Sequence, residues 1–207
     1  VIVGGGFIGL EMAENLKHAG AQVAVVEMAN QVMAPIDYSM AAIVHDHLQQ
    51  QNVKLYLEQA VEGFSQEGEE LEVHFKSGIS LKADMVLLSI GVRPETRLAQ
   101  AAGLKLGDMR GIWVNEYLQT SDENIYAVGD AIEYPHPITG KPWLNFLAGP
   151  ANRQARIVAD NMVKGNNERY EGAIGTAIAK VFDITVASTG LPAKRLKQMD
   201  IPYLSAT

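Results

Sequence analysis

The sequence predicts an α/β fold built on a parallel sheet, and three observations carry that expectation. A short apolar run, Val1–Val3, leads directly into a glycine cluster, Gly4, Gly5, Gly6 and Gly9. A helix-forming stretch follows. A second apolar run, 21–27, then ends in an acid, Glu27. Strand, glycine turn, helix and strand in that order make a βαβ unit, whose strands lie parallel because the helix carries the chain back.

Taken in order, Val1–Val3 reads as a buried strand and 8–19 as a helix, with Ile8, Met12, Leu16 and Ala19 on its apolar face. Gly20 stops that helix, as glycine at a C-terminus commonly does. Residues 38–51 read as a second amphipathic helix with Met40, Ile43, Val44 and Leu48 on its apolar side, and 53–57 as the next strand. From 60 to 81, short strands separated by polar turns at 68–70 and 76–78 suggest an antiparallel meander. Residues 83–94 return to a buried strand ending at a glycine and a proline, followed by a short helix over 95–102. Past Gly103 the texture changes. Residues 111–115 and 124–131 read as strands of a different sheet, and 150–164 as a helix whose Pro150 suits a first turn. A polar linker, 165–172, precedes two adjacent strands in 176–190, a helix over 191–199 and a short strand at 201–203.

Composition narrows the function classes. A chain of 207 residues with 47% apolar content can bury a sizeable core. Its longest apolar runs, such as 85–92, are too short to span a bilayer, so no membrane partner is expected. Acidic residues outnumber basic ones, 24 to 17, which disfavours nucleic acid as a partner, since phosphate rewards clustered Lys and Arg. No signal peptide is visible, and a cytoplasmic location is the expectation. Cysteine is absent, so a disulfide scaffold, a thiolate metal site and a cysteine nucleophile are excluded within these residues. His45 and His47, two apart on a helix, cannot share one face; they read as solvent-side residues, and no metal is expected.

The chemistry lies in the glycines. Gly4-x-Gly6-x-x-Gly9 matches the dinucleotide fingerprint: the first makes the tight turn, the second admits backbone close to a pyrophosphate, and the third permits close helix–strand packing. Phosphates then meet free N–H groups at a helix N-terminus. Glu27 stands 18 positions after Gly9, near the offset at which a carboxylate accepts ribose hydroxyls. A carboxylate there welcomes the 2′-hydroxyl of NADH and repels the 2′-phosphate of NADPH. The alternatives are a purely structural glycine turn and a solvated strand-end acid.

A second constellation, TSDENIYAVGDA (120–131), ends an apolar run at Gly129 with Asp130 beyond it. Here the chain resembles the pyridine nucleotide-disulfide oxidoreductases, flavoproteins with two dinucleotide-binding domains. The resemblance implies that Asp130 bonds the ribityl or pyrophosphate part of FAD and that Gly129 allows its approach. SIGVRP (89–94), which holds Gly91, resembles the family's A-T-G-x-x-P loop, with Ser89 and Ile90 in place of Ala and Thr. Residues 25–42, 147–156 and 180–190 look like the branch of coenzyme A-disulfide reductases and NADH-dependent persulfide reductases.

The resemblance implies a Rossmann-like NAD(H)-binding domain with a meander insertion over 1–110, the returning part of a split FAD domain over 111–165, and the start of an α+β dimerisation domain over 166–207. On that reading the chain is an internal segment. Glu11 matches the acid that reaches toward nicotinamide and flavin; as a bare feature it is a helix-surface acid near an N-terminus. Phe7 matches an aromatic gate over the flavin, or is simple packing, and Ile8 lies beside it in the NAD site. Leu147, Ala148 and Ala151 match the helix start at the flavin's pyrimidine edge. Asn152 stands where some coenzyme A-disulfide reductases carry a substrate-contacting histidine.

The implied activity passes hydride from NADH to FAD, then electrons through a cysteine outside this chain to a coenzyme A disulfide or persulfide, in a homodimer. NADH oxidases and peroxidases share the architecture. A free-standing nucleotide-binding module without catalysis is the rival of another class.

Overall fold

In the computed structural model, which describes residues 1–206, the chain divides into two compact units. The first comprises Val1–Gly91 and the segment from Ile178 onward; the second is Val92–Ala177.

The first unit is built on a four-stranded sheet of β1 (Ile2–Val3), β2 (Ala24–Val26), β3 (Lys54–Tyr56) and β7 (Leu87–Leu88), in the spatial order β3-β2-β1-β7. All its pairings are parallel, with Val3 opposite Val26 and Leu88. Both connections within β1–β3 are helical: α1 (Phe7–His18) and α2 (Tyr38–Gln50). This is half of a doubly wound nucleotide-binding sheet, with the first strand central. Between β3 and β7 the chain forms an antiparallel meander, β4 (Val61–Glu67), β5 (Glu70–Phe75) and β6 (Ser80–Ala83). From Ile178 the chain rejoins this unit through β11 (Ala177–Val181), β12 (Ile184–Ser188) and α5 (Ala193–Gln198). Ala179, Val181 and Phe182 join Ile2, Leu10, Val25, Val44 and Leu48 in one core.

The second unit holds α3 (Arg97–Ala101), a small sheet of β8 (Ile112–Trp113), β9 (Ile132–Pro135) and β10 (Pro142–Trp143), and α4 (Ala148–Lys164). Its core gathers Val114, Leu118, Ile132, Tyr134, Ile157, Val158 and Tyr170. Gln154, Ile157, Val158 and Asn161 form the inward stripe of α4 at helical spacing. Two of them are polar, and both are bonded. Asn161 donates to the carbonyls of Tyr117 and Glu168 and accepts from the amides of Asn167 and Glu168. Among the described residues no helix is long and apolar enough to cross a membrane.

Several expectations need correcting. Residues 124–131 form no strand; they make one isolated bridge, Gln119 to Tyr126, and a 3-10 turn over Gly129–Ala131. The strand of 83–94 shrinks to Leu87–Leu88, and 201–203 forms none. On α1 the buried face is Gly9, Leu10, Ala13 and Glu14, while Ile8 and Ala19 are exposed. On α2 it is Ala41, Val44, His45 and Leu48, with Met40 and Ile43 exposed. At Gly9 the turn beneath α1 leaves no room for a side chain. A Cβ on Gly9 would strike the carbonyl oxygen of Gly4. His45 is buried rather than solvent-side, and His47 is half-buried, accepting a hydrogen bond from the Asp183 amide. Helix α4 begins at Ala148, two residues before Pro150, which therefore sits inside its first turn.

Candidate functional site

The first unit places the glycine turn at the carboxyl end of β1, against β7. Gly4 has a φ of +110°, and a Cβ there would run into the Ser89 carbonyl. Gly5 is hemmed in by Val32, whose Cγ1 would lie 2.8 Å from such a carbon. Gly4, Gly5 and Gly9 are thus demanded by the fold itself. Gly6 is different. Its φ of −76° suits any residue, and nothing lies within 4 Å of where its Cβ would stand. No neighbour in this chain requires glycine there, so its bareness fits a group arriving from outside, at the N-cap of α1. Gly91 likewise opens onto free space, but its φ of +103° calls for glycine.

Glu27 follows the last residue of β2. One carboxylate oxygen accepts the Gly5 amide at 2.7 Å and the other the Ala29 amide at 2.8 Å. A carboxylate offers about four acceptor positions, so both oxygens retain capacity for hydroxyl donors. Phe7 is half-buried and packs on the unit's core. Ile8 and Glu11, three apart on α1, are both exposed.

In the second unit the 3-10 turn carries Gly129, with φ +80°, and Asp130, which is exposed. A Cβ on Gly129 would meet that of Ala151 at 3.8 Å, which brings this turn to the start of α4. The Gly129 amide donates to Gln154 Oε1 at 2.7 Å. Leu147, extended, is the N-cap of α4, and no side chain caps the first turn of Ala148, Gly149 and Pro150. The exposed N–H groups and the helix dipole favour negative charge there. Asn152 is exposed and turns its amide back onto the Ala148 carbonyl at 2.9 Å.

Sequence reasoning passed over three residues: Val32, which presses on the turn, Gln154, which moors Gly129, and Glu14; it met Ser89 only as a departure from the family's loop, not as the carbonyl that crowds Gly4. Glu14 is a buried acid on α1 that accepts the Phe182 amide at 2.8 Å and meets Lys180 Nζ at 3.2 Å. Burial opposes its charge, but the Phe182 amide and Lys180 outweigh burial and hold the carboxyl below the usual carboxylate range. Polar residues at the inner positions of α1 and α4 were the available signal.

A central first strand, a βα turn bare at Gly6 and a carboxylate at the end of the second strand define a dinucleotide-binding α/β protein. The family model "Pyridine nucleotide-disulphide oxidoreductase" matches residues 1–149, and the chain belongs to that family. It is 39% identical over 204 residues to the NADH oxidase of Methanocaldococcus jannaschii, covering 98% of this chain and 45% of that protein. The structure of reduced Bacillus anthracis CoADR-RHD matches with a TM-score of 0.93 at 51% identity, covering 97% of this chain and 36% of that one. A NAD-dependent persulfide reductase from A. fulgidus matches with a TM-score of 0.92 at 38% identity, covering 96% and 37%. The chain spans less than half the length of each of these proteins. The family is one of redox enzymes that use FAD and NAD(P)H, and the two half-sites fit those groups: a bare turn suits the nicotinamide dinucleotide's pyrophosphate, and an anion-favouring helix start beside Gly129 suits the flavin, whose reduced ring carries negative charge.

Proposed function

We propose that the chain supplies the nicotinamide site and part of the flavin site of an oxidoreductase that uses NADH to reduce a disulfide or persulfide of coenzyme A. The observation that carries this reading is Gly6, bare although nothing in the chain requires it to be. FAD, when bound, takes up two electrons from the nicotinamide and passes them on.

This chain's residues bind and orient. Gly4, Gly6 and Gly9 shape the pyrophosphate cradle, with Phe7, Ile8 and Gly91 around the nucleotide. Glu27 accepts ribose hydroxyls and selects NADH over NADPH. Glu11 acts on the nicotinamide side. Gly129 and Asp130 take the flavin's ribityl or pyrophosphate part, Leu147, Ala148 and Ala151 its ring edge, and Asn152 stands on the substrate side. The reactive thiolate has to come from outside these residues, because none of them is a cysteine. The three-part division at 110 and 165, a homodimer and a cytoplasmic location complete the proposal.

A second reading, an oxidase or peroxidase of the same architecture, is supported by the 39% identity to an NADH oxidase. Assaying the longer protein that contains this chain separates the two. Faster NADH consumption with coenzyme A disulfide or persulfide than with oxygen or peroxide supports the first. The reverse order overturns it.

A further inference from the structure

The glycine turn is fixed from behind by three hydrogen bonds. The Gly4 amide donates to the Val26 carbonyl at 2.8 Å, the Gly5 amide to Glu27 at 2.7 Å, and the Met33 amide to the Gly5 carbonyl at 2.8 Å. The third comes from the loop 28–36, which also presses the Val32 side chain against Gly5. What holds that loop therefore holds the turn.

Two side chains do so. Gln31 Nε2 donates to the carbonyls of Val32 and Ile36 at 3.3 and 3.0 Å. The Val32 amide donates to Nε2 of His45, on α2, at 3.1 Å. Val32 and Met33 are wholly buried and His45 nearly so, so water has little access to replace this acceptor. An imidazole nitrogen that accepts is unprotonated, which puts the single ring proton of neutral His45 on Nδ1. A second proton would turn Nε2 into a donor facing a donor.

We propose that His45 is a positioning residue for the dinucleotide turn: neutral, it anchors the 28–36 loop and through it Gly5, and on taking up a proton it releases both and weakens dinucleotide binding. The inference rests on reading the turn as the NADH site. Burial holds the imidazole below its ordinary value, and Asp46, next to it on α2, works the other way. Tyr38 offers the ring an edge at 6.0 Å between centroids. The facing loop, 28–36, carries no ionisable side chain. At its two ends, the Asp37 carboxylate is taken by the amides of Ala193 and Lys194, and that of Glu27 by Gly5 and Ala29. Within this cluster, titration below the ordinary imidazole range thus falls to His45 itself.

The test titrates NADH fluorescence against the chain and against His45→Gln, whose side-chain oxygen accepts in much the same place and never titrates. As pH falls from about 8 to about 5 the native chain should lose several-fold in affinity, with the loss falling below the ordinary imidazole range and capped at about tenfold, the scale of one buried hydrogen bond to a group left unpaired. His45→Gln should match the native chain at the upper pH and stay flat. A flat native profile, or an equally sloped one in the variant, overturns the proposal. Amide-exchange protection of Val32 and Met33 over the same range decides the matter independently of the nucleotide. Protection lost on acidification in the native chain but kept in His45→Gln supports the anchor, and equal behaviour sinks it. Absence of NADH binding at every pH would instead sink the reading of the turn.

Discussion

At the residue scale, the glycines of one motif have different reasons to exist, and substitution separates them. Gly4→Ala puts a side chain into a left-handed backbone and against the Ser89 carbonyl, and should cost about 2 kcal/mol or more of stability. Gly6→Ala meets no neighbour, and as an N-cap change should cost under about 1 kcal/mol. Its effect should fall on NADH affinity, reduced about tenfold or more by a methyl group in the phosphate's path. Urea unfolding and NADH titration of both variants check this. A Gly6→Ala chain that binds NADH normally would count against the cradle. The motif's spacing revealed the turn, but only the surroundings of each glycine separate packing from binding.

At the element scale, buried polar side chains tie helices to distant segments. Glu14 on α1 accepts the Phe182 amide between β11 and β12. Lys180, 67% exposed, adds little, because an exposed ion pair is worth well under about 1 kcal/mol in water. Since the folded carboxyl lies below its unfolded value, its contribution is complete above the ordinary carboxylate range and drains away as pH falls through the folded value. Glu14→Gln keeps an acceptor for the amide and removes the titration. Urea midpoints at about pH 7 and about pH 3.5 should therefore drop less in the variant than in the native chain. Gln154 does the parallel service for Gly129. Gln154→Leu leaves that amide without its acceptor and should cost about 1–3 kcal/mol, with loss of amide protection at Gly129 as its local signature.

At the scale of the whole molecule, the missing thiolate decides what this chain can do unaided. With no cysteine in its sequence, it should bind NADH yet show no NADH-dependent reduction of coenzyme A disulfide, whereas the longer protein should show it. Robust turnover by these 207 residues would refute the proposed division of labour. The division of the fold at 91 and 177 was also not visible along the chain, because a unit assembled from two separated segments leaves no compositional mark at its seams.

What was legible in the sequence was local. The strand–glycine–helix–strand unit, the meander and the hairpin-like pair β11–β12 announce themselves through periodicity and turn residues that act within a few positions. The acid after β2 was legible too, because its offset is set by the length of one helix and one strand. Tertiary structure decided the rest. Apolarity favoured Ile8 and Met40, but the inner faces of α1 and α2 are set by what lies across from them, a crowded turn in one case and the Val32 amide in the other. The apolar run 125–128 lacks a ladder because a strand exists only with a neighbour, and neighbours are chosen by the fold. Glu14, His45 and Gln154 bury polar atoms for the same reason: their partners lie 168, 13 and 25 residues away, beyond the reach of any local pattern.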